Sequence, residues 1–176
     1  MTLSSPAPDR DAGPRWRSMT EADLDGVVEV ARLSFPNHPE DRACFANRLE
    51  LHPQGCFVLS DVAGGVFGYM VAYPWARGSA PALNALIPAL PGDADLIYLH
   101  DLALHPDARG GGYTRPVVEQ LADQARADGW PALALVAVND AAAYWGRLGF
   151  VEESPPGMAE KLASYGADAR YMVRPL

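Results

Sequence analysis

Long apolar runs are missing from this 176-residue chain, and no stretch approaches the roughly 20 residues that cross a bilayer as a helix. Cysteine is almost missing: Cys44 and Cys56 are the only two, without metal-type spacing. They read as reduced thiols of a cytoplasmic protein, which sets aside a disulfide framework and a metal site, and no secretory leader is expected. Lysine is scarcer still. Lys161 is the only one among 14 basic residues, and 22 acidic residues leave a net charge of -8. That balance argues against nucleic acid and against anionic membrane surfaces as partners. What is present, 49% hydrophobic and 20% charged residues, suits a soluble globular protein. The length suits a single domain with a proper core.

Residues 1–14, rich in Ser, Pro, Asp and Ala, read as a disordered tail, and residues 15–176 as one domain. Arg15 to Met19 suits a first strand. Thr20 suits an N-cap, with apolar residues at Leu24, Val27, Val28, Val30, Ala31 and Leu33 in a helix behind it. A second helix is expected from about Pro39 to Leu51. Gly55 to Ser60 and Val66 to Tyr73 make a hairpin about Ala63-Gly64-Gly65. Trp75 to Asp95 reads as an irregular loop, and Leu96 to Leu104 as a strand. Thr114 to Asp128 has a helical apolar face that stops at Gly129. Ala132 to Val138 is the nearly continuous apolar run of a strand covered on both faces. Asp140 to Leu148 suits a short helix. Phe150 to Glu152 and Arg170 to Val173 suit strands flanking a mobile segment, Ser154 to Asp168.

The richest stretch runs from Leu99 to Thr114. An apolar strand ends in His105-Pro106, and Arg109-Gly110-Gly111-Gly112-Tyr113-Thr114 then opens a helix. Three glycines there sacrifice backbone entropy, which implies that something approaches the backbone closely. The first N–H groups of a helix lack intrahelical partners and carry the positive end of its dipole, so the turn suits an anion, phosphate above all. The same letters also suit a plain flexible turn.

The turn resembles the acyl-CoA-binding motif of the GNAT N-acetyltransferase superfamily, Arg/Gln-x-x-Gly-x-Gly/Ala. A second resemblance follows the next strand, in Asn139, the pair Tyr144-Trp145, and Gly149-Phe150. The order of elements agrees from Arg15 to the C-terminus. The resemblance implies an α/β (α+β) fold with a mixed, mostly antiparallel sheet flanked by helices, in the order β-α-α-β-β-β-α-β-α-β-β. It also implies acetyl-CoA as acyl donor, with no metal. The pyrophosphate would sit on Arg109, Gly110, Gly111, Gly112, Tyr113 and Thr114, with Arg109 and Arg115 as phosphate contacts. The pantetheine arm would pair with Leu102, Ala103 and Leu104 as an added strand does. Asn139 and Trp145 complete the expected cofactor site. Thr114 departs from the usual Gly or Ala and crowds the helix start.

Period-2 alternation puts Tyr98, His100, Leu102 and Leu104 on one face of their strand and Asp101 on the other. The strand resembles that of arylalkylamine N-acetyltransferases, which carry histidines at the positions of Tyr98 and His100. His100 is therefore the candidate general base, with Tyr98 relaying through water, unless it packs as a core histidine. The family's tyrosine acid falls at Trp145, which has no phenolic proton, leaving Tyr144 as the candidate acid. Phe35, Tyr73, Trp75 and Tyr98 are expected to form an aromatic acceptor pocket, with Glu40 or Asp41 attracting an ammonium. The function so implied is acetyl transfer to a primary amine, a small molecule by preference. The alternatives are acetylation of a peptide or protein N-terminus and a non-catalytic acyl-CoA-binding regulator. A homodimer is left open.

Overall fold

A computed structural model describes residues 13–37 and 39–176, so most of the expected tail lies outside the described residues. The elements are β1 (Arg15–Ser18), α1 (Leu24–Ser34), α2 (Arg42–Leu51), β2 (Cys56–Ser60), β3 (Val66–Trp75), β4 (Leu96–Leu104), α3 (Thr114–Ala127), β5 (Ala132–Ala137), α4 (Ala142–Arg147), β6 (Val151–Glu152), α5 (Ala159–Tyr165) and β7 (Arg170–Pro175). Strands pair in the order β1-β2-β3-β4-β5-β7-β6. Every pairing is antiparallel except β4 with β5.

The helical entry at Thr20 forms as its sequence implies. The Thr20 N–H donates to the Asp23 carboxylate at 2.8 Å, and Arg17 pairs with the same group at 2.7 Å. Behind it Leu24, Val27 and Ala31 recur at helical spacing and are buried against Tyr69, Val71 and Tyr73 of β3. α3 covers the opposite face, where Val117, Val118 and Leu121 meet Met70, Ala72, Ile97 and Leu99. Among the described residues no helix is long and apolar enough to cross a membrane.

Two expectations are corrected. The segment Ser154 to Asp168 contains α5, so the order gains a helix between the last two strands. Its seven residues are too few to hold a helix by propensity alone. Packing supplies the rest: Leu162 and Tyr165 rest on the α1-side core, and the Tyr165 hydroxyl donates to the Pro81 carbonyl. The second correction concerns β4. Val71 faces Asp101 while Ala72 faces Leu99, so His100 has no opposite residue and forms a β-bulge. The extra residue shifts the pleat by one. Asp101 and Ala103 therefore lie on the Tyr98 side of the sheet, and Leu102 packs with the α3-side core.

Gly55 shows how tightly the hairpin seats against the segment before it. A Cβ there would stand 1.9 Å from the Ala72 carbonyl oxygen, a backbone atom that cannot step aside. Gly55→Ala is expected to cost about 3 kcal/mol and to lower the melting temperature by roughly 6–12 °C. Gly92→Ala, which meets no atom within 4 Å, serves as control. Equal melting of the two variants in a thermal scan would contradict this packing.

Candidate active site

β4 and β5 pair at only two positions, Ile97 with Leu133 and Tyr98 with Ala134. Beyond these the strands part, and a cavity of about 390 Å³ opens between them. Leu99, Leu102 and Leu104 form one wall, and Leu135, Val136 and Val138 form the other. A β4 edge without a strand neighbour offers main-chain N–H and C=O groups to whatever enters. Phe35 and Glu40 close the cavity from the segment after α1, Tyr165 from α5, and Leu83 from the loop before β4.

The helix start of α3 faces this opening. His105 caps the turn by accepting the Asp107 N–H on Nδ1 at 3.1 Å. Gly110 and Gly112 then take φ of 79° and 76°, where a Cβ would be strained. The turn is fastened to β1, because Trp16 Nε1 donates to the Tyr113 carbonyl at 2.8 Å. Thr114 is the first residue of α3 and lines the cavity. Arg109 is exposed and bends back to donate from Nε to the Leu104 carbonyl at 3.1 Å, which ties the turn to the strand end. Arg115 is also exposed, with Nη2 3.5 Å from the Arg147 carbonyl.

His100 and Asp101 sit where the bulge sends two consecutive side chains to one side. Both line the cavity. His100 Nε2 contacts the Glu40 carboxylate across 60 positions of sequence, and both side chains are buried. Burial pushes the Glu40 carboxyl up, but the hydrogen bond and charge of His100, with the charge of Arg48, hold it below its ordinary value. His100 Nδ1 is buried without a partner. Asp101 accepts a hydrogen bond from the Tyr69 hydroxyl. Burial raises its carboxyl to about 7, against the charge of His100 and the Tyr69 bond.

The remaining sequence candidates divide. Asn139, at φ 52°, lines the cavity, as do Tyr144 and Trp145 of α4. Trp145 packs edge-on against Phe150 with ring centres 5.6 Å apart, while Tyr144 is more open. The expected aromatic acceptor pocket does not form as drawn. Only Phe35 of its four members lines the cavity. Tyr73 and Tyr98 are buried behind His100, with ring centres 5.7 and 6.0 Å from the imidazole. Alternation alone missed Asp101 as a cavity residue. Tyr165 carried no sequence signal beyond its place in a segment bounding the acceptor side. Glu40 was visible as an acid near that site, but not as the partner of His100.

A family model described as the Acetyltransferase (GNAT) family matches residues 24–150. The chain belongs to this family of acetyltransferases. No curated relative matches this GNAT chain. Among solved structures it is similar to Ard1 from Thermoplasma volcanium, with 17% identity and a TM-score of 0.70 over 94% of this chain and 99% of that one. It is similar to a phosphinothricin acetyltransferase from Sinorhizobium meliloti in complex with AcCoA, with 24% identity and a TM-score of 0.66 over 94% and 89%. It is also similar to the ribosomal-protein-S18-alanine N-acetyltransferase of Escherichia coli, with 21% identity and a TM-score of 0.62 over 92% and 93%. At such identities these likenesses carry the GNAT fold alone.

The Asp101 environment has a pH signature. Its folded value near 7 stands above the ordinary 3.8, so the native state holds more protons than the unfolded chain between the two. Stability from this group therefore falls as pH rises through that window. Asp101→Asn removes that slope, so the unfolding free energy of the variant minus that of the wild type should rise from about pH 4 to about pH 7. Urea titrations at several pH values read the difference, and parallel curves would contradict it.

Proposed function

We propose that this GNAT enzyme transfers the acetyl group of acetyl-CoA to a primary amine by direct attack in a ternary complex, with His100 as general base. The observation that carries the reading is the juxtaposition of a glycine-opened helix start, a strand edge left free by the parting of β4 and β5, and His100 at that edge. The first two features suit a long ligand with a pyrophosphate at one end and an amide-bearing arm. Backbone N–H groups of Gly110 to Thr114 would take the phosphates, and Leu102 to Leu104 the arm. The similar phosphinothricin acetyltransferase was solved with AcCoA.

The chemistry follows from the His100 surroundings. With Nε2–H directed at Glu40, Nδ1 keeps its lone pair and receives one proton from the substrate ammonium. The Glu40 carboxylate stabilises the imidazolium that forms. The freed amine nitrogen attacks the acetyl carbonyl carbon, the C–N bond forms and the C–S bond breaks. The second amine proton goes to the departing thiolate, so the products are an amide and free CoA. N–H groups near Leu102 to Leu104 would polarise the thioester carbonyl. Tyr144, which lines the cavity, would serve the departing thiolate. Tyr98, sealed behind His100, supports the imidazole by packing and is not open to a water relay. Closure of the acceptor side by Phe35, Leu83 and Tyr165 from three segments suits a small molecule better than a polypeptide.

The test is release of free CoA from acetyl-CoA against a panel of primary amines. His100→Ala is expected to lower the amine-dependent rate by ~10²–10⁴-fold while equilibrium binding of CoA is retained. Full activity of His100→Ala would overturn the assignment of the base. An absence of amine-dependent release by the folded wild type would overturn the transfer itself.

A further inference from the structure

Asp101 is a titratable group of the cavity that the transfer step leaves unused. The bulge in β4 turns it to the same side as His100, and both line the cavity. Its Oδ2 accepts from the Tyr69 hydroxyl of β3, its one hydrogen-bonding side chain among the described residues. The neighbouring Leu102 N–H also favours the ionised form. Oδ1 has no side-chain partner, yet it does not belong to the buried atoms that lack one, and the residue keeps partial exposure. One oxygen of this carboxylate is therefore fixed and the other is open.

His100 points to the same spot independently. Its side chain is 3% exposed, lines the cavity, and carries Nδ1 without a partner. Buried polar atoms are ordinarily satisfied, so an orphan acceptor in a cavity wall marks the place of a donor. Glu40 does not fill that place, because its carboxylate is engaged with Nε2. Two consecutive residues thus bring two unmet acceptors, His100 Nδ1 and Asp101 Oδ1, to one corner of the cavity.

The fixed charges at this corner have one sign. Glu40 and Asp101 are the only carboxylates that line the cavity, and no arginine or lysine lines it, among the described residues. The groups acting on Asp101 are His100 and Leu102 of its own strand, Tyr69 of β3 and Glu40 from the segment after α1. Tyr165 of α5 feels the charges of both acids. Arg48 acts on Glu40 but lines no part of the cavity. Phe35, Leu83 and Tyr165 close the same end with apolar and aromatic surface. Burial raises the Asp101 carboxyl to about 7, and a cation beside it restores the ionised form.

The corner has a definite complement. A primary ammonium carries three N–H donors and one positive charge, and so meets both acceptors at once. A carboxylate next to that amine would face two acids with no lining cation to receive it. We propose that Asp101 is the ammonium-binding residue of the acceptor site, and that the acceptor is a cationic amine with an apolar body and no carboxylate. Asp101 Oδ1 takes one N–H while a second points to His100 Nδ1, and Tyr69 holds the carboxylate in that orientation. Asp101 orients the amine, and His100 remains the group that removes its proton. This assignment of substrate class rests on the reading of the enzyme as an amine acetyltransferase.

The experiment compares kcat and KM for amines and the amino acids that share their side chains: pentylamine with norleucine, and phenethylamine with phenylalanine. The wild type is expected to favour the amine in kcat/KM by ~10-fold or more in each pair. Asp101→Asn keeps an acceptor for Tyr69. It is expected to raise KM for the amines by ~10–100-fold, the worth of a charged hydrogen bond, with kcat much less changed and the preference narrowed. Tyr69→Phe, which releases the carboxylate, should raise KM by a smaller factor, and both variants should bind CoA as the wild type does. A preference for the amino acids, or an amine KM unchanged in Asp101→Asn, overturns the proposal and leaves the transferase reading intact. A fall shared equally by amines and amino acids, or confined to kcat, marks a merely structural residue and overturns it too. If nothing is acetylated, the transferase reading fails, and calorimetric titration of the CoA-loaded protein with N,N-dimethylphenethylamine, a cation that forms no stable amide, decides the subsite. Binding that weakens by ~10-fold or more in Asp101→Asn supports it, and equal binding or none overturns it.

Discussion

The parting of β4 from β5 after two paired residues is the constraint on which the rest of the molecule depends. A sheet normally keeps its neighbours hydrogen-bonded to the end, since unpaired backbone groups in an interior are costly. Here the ladder stops where α3 begins its approach, and the divergent strands leave a cleft walled by leucines and valines. α1 packs on one face of this sheet and α3 on the other. The glycine turn, the strand edge and the acceptor side all face that gap. A ligand strand is the natural replacement for the missing protein strand.

Within that frame, the bulge at His100 decides which side chains meet. Without it, β4 would alternate regularly, and Asp101 would point toward α3. With it, His100 and Asp101 project to the same side, one onto Glu40 and the other onto Tyr69. The result is a buried, titratable corner beside an apolar cleft. Burial raises Asp101, while the company of His100 and Arg48 lowers Glu40, so two nearby carboxylates are pushed apart in acidity. Such divergence is a recurrent property of sites that handle protons.

Much of this was legible in the sequence because it is local. The Gly110–Gly112 turn, the apolar run of β5, the face of α3 and the Thr20 entry are written in neighbouring residues, and the structure bears them out. The bulge was not legible, because the period-2 rule assumes an unbroken register and no glycine or proline flags the interruption. α5 was hidden by its surroundings: Pro155, Pro156 and Gly157 precede it and Gly166 ends it, while its anchors, Pro81 and the α1-side core, lie far off in sequence. Glu40 could be seen as an acid near the acceptor, but its contact spans 60 residues. The aromatic residues at 73, 75 and 98 were expected with Phe35 in the acceptor pocket, but none of the three reaches the cavity wall. They pack one layer behind it.

The decisive measurement is a crystal structure of the protein with a non-reactive thioether analogue of acetyl-CoA. The pantetheine arm is expected between β4 and β5, hydrogen-bonded to the backbone of Leu102 to Leu104. The pyrophosphate is expected on the N–H groups of Gly110 to Thr114 and the acyl end beside His100. An analogue bound outside the cleft, or bound in it with its acyl end remote from His100, would contradict the role given to the parted strands.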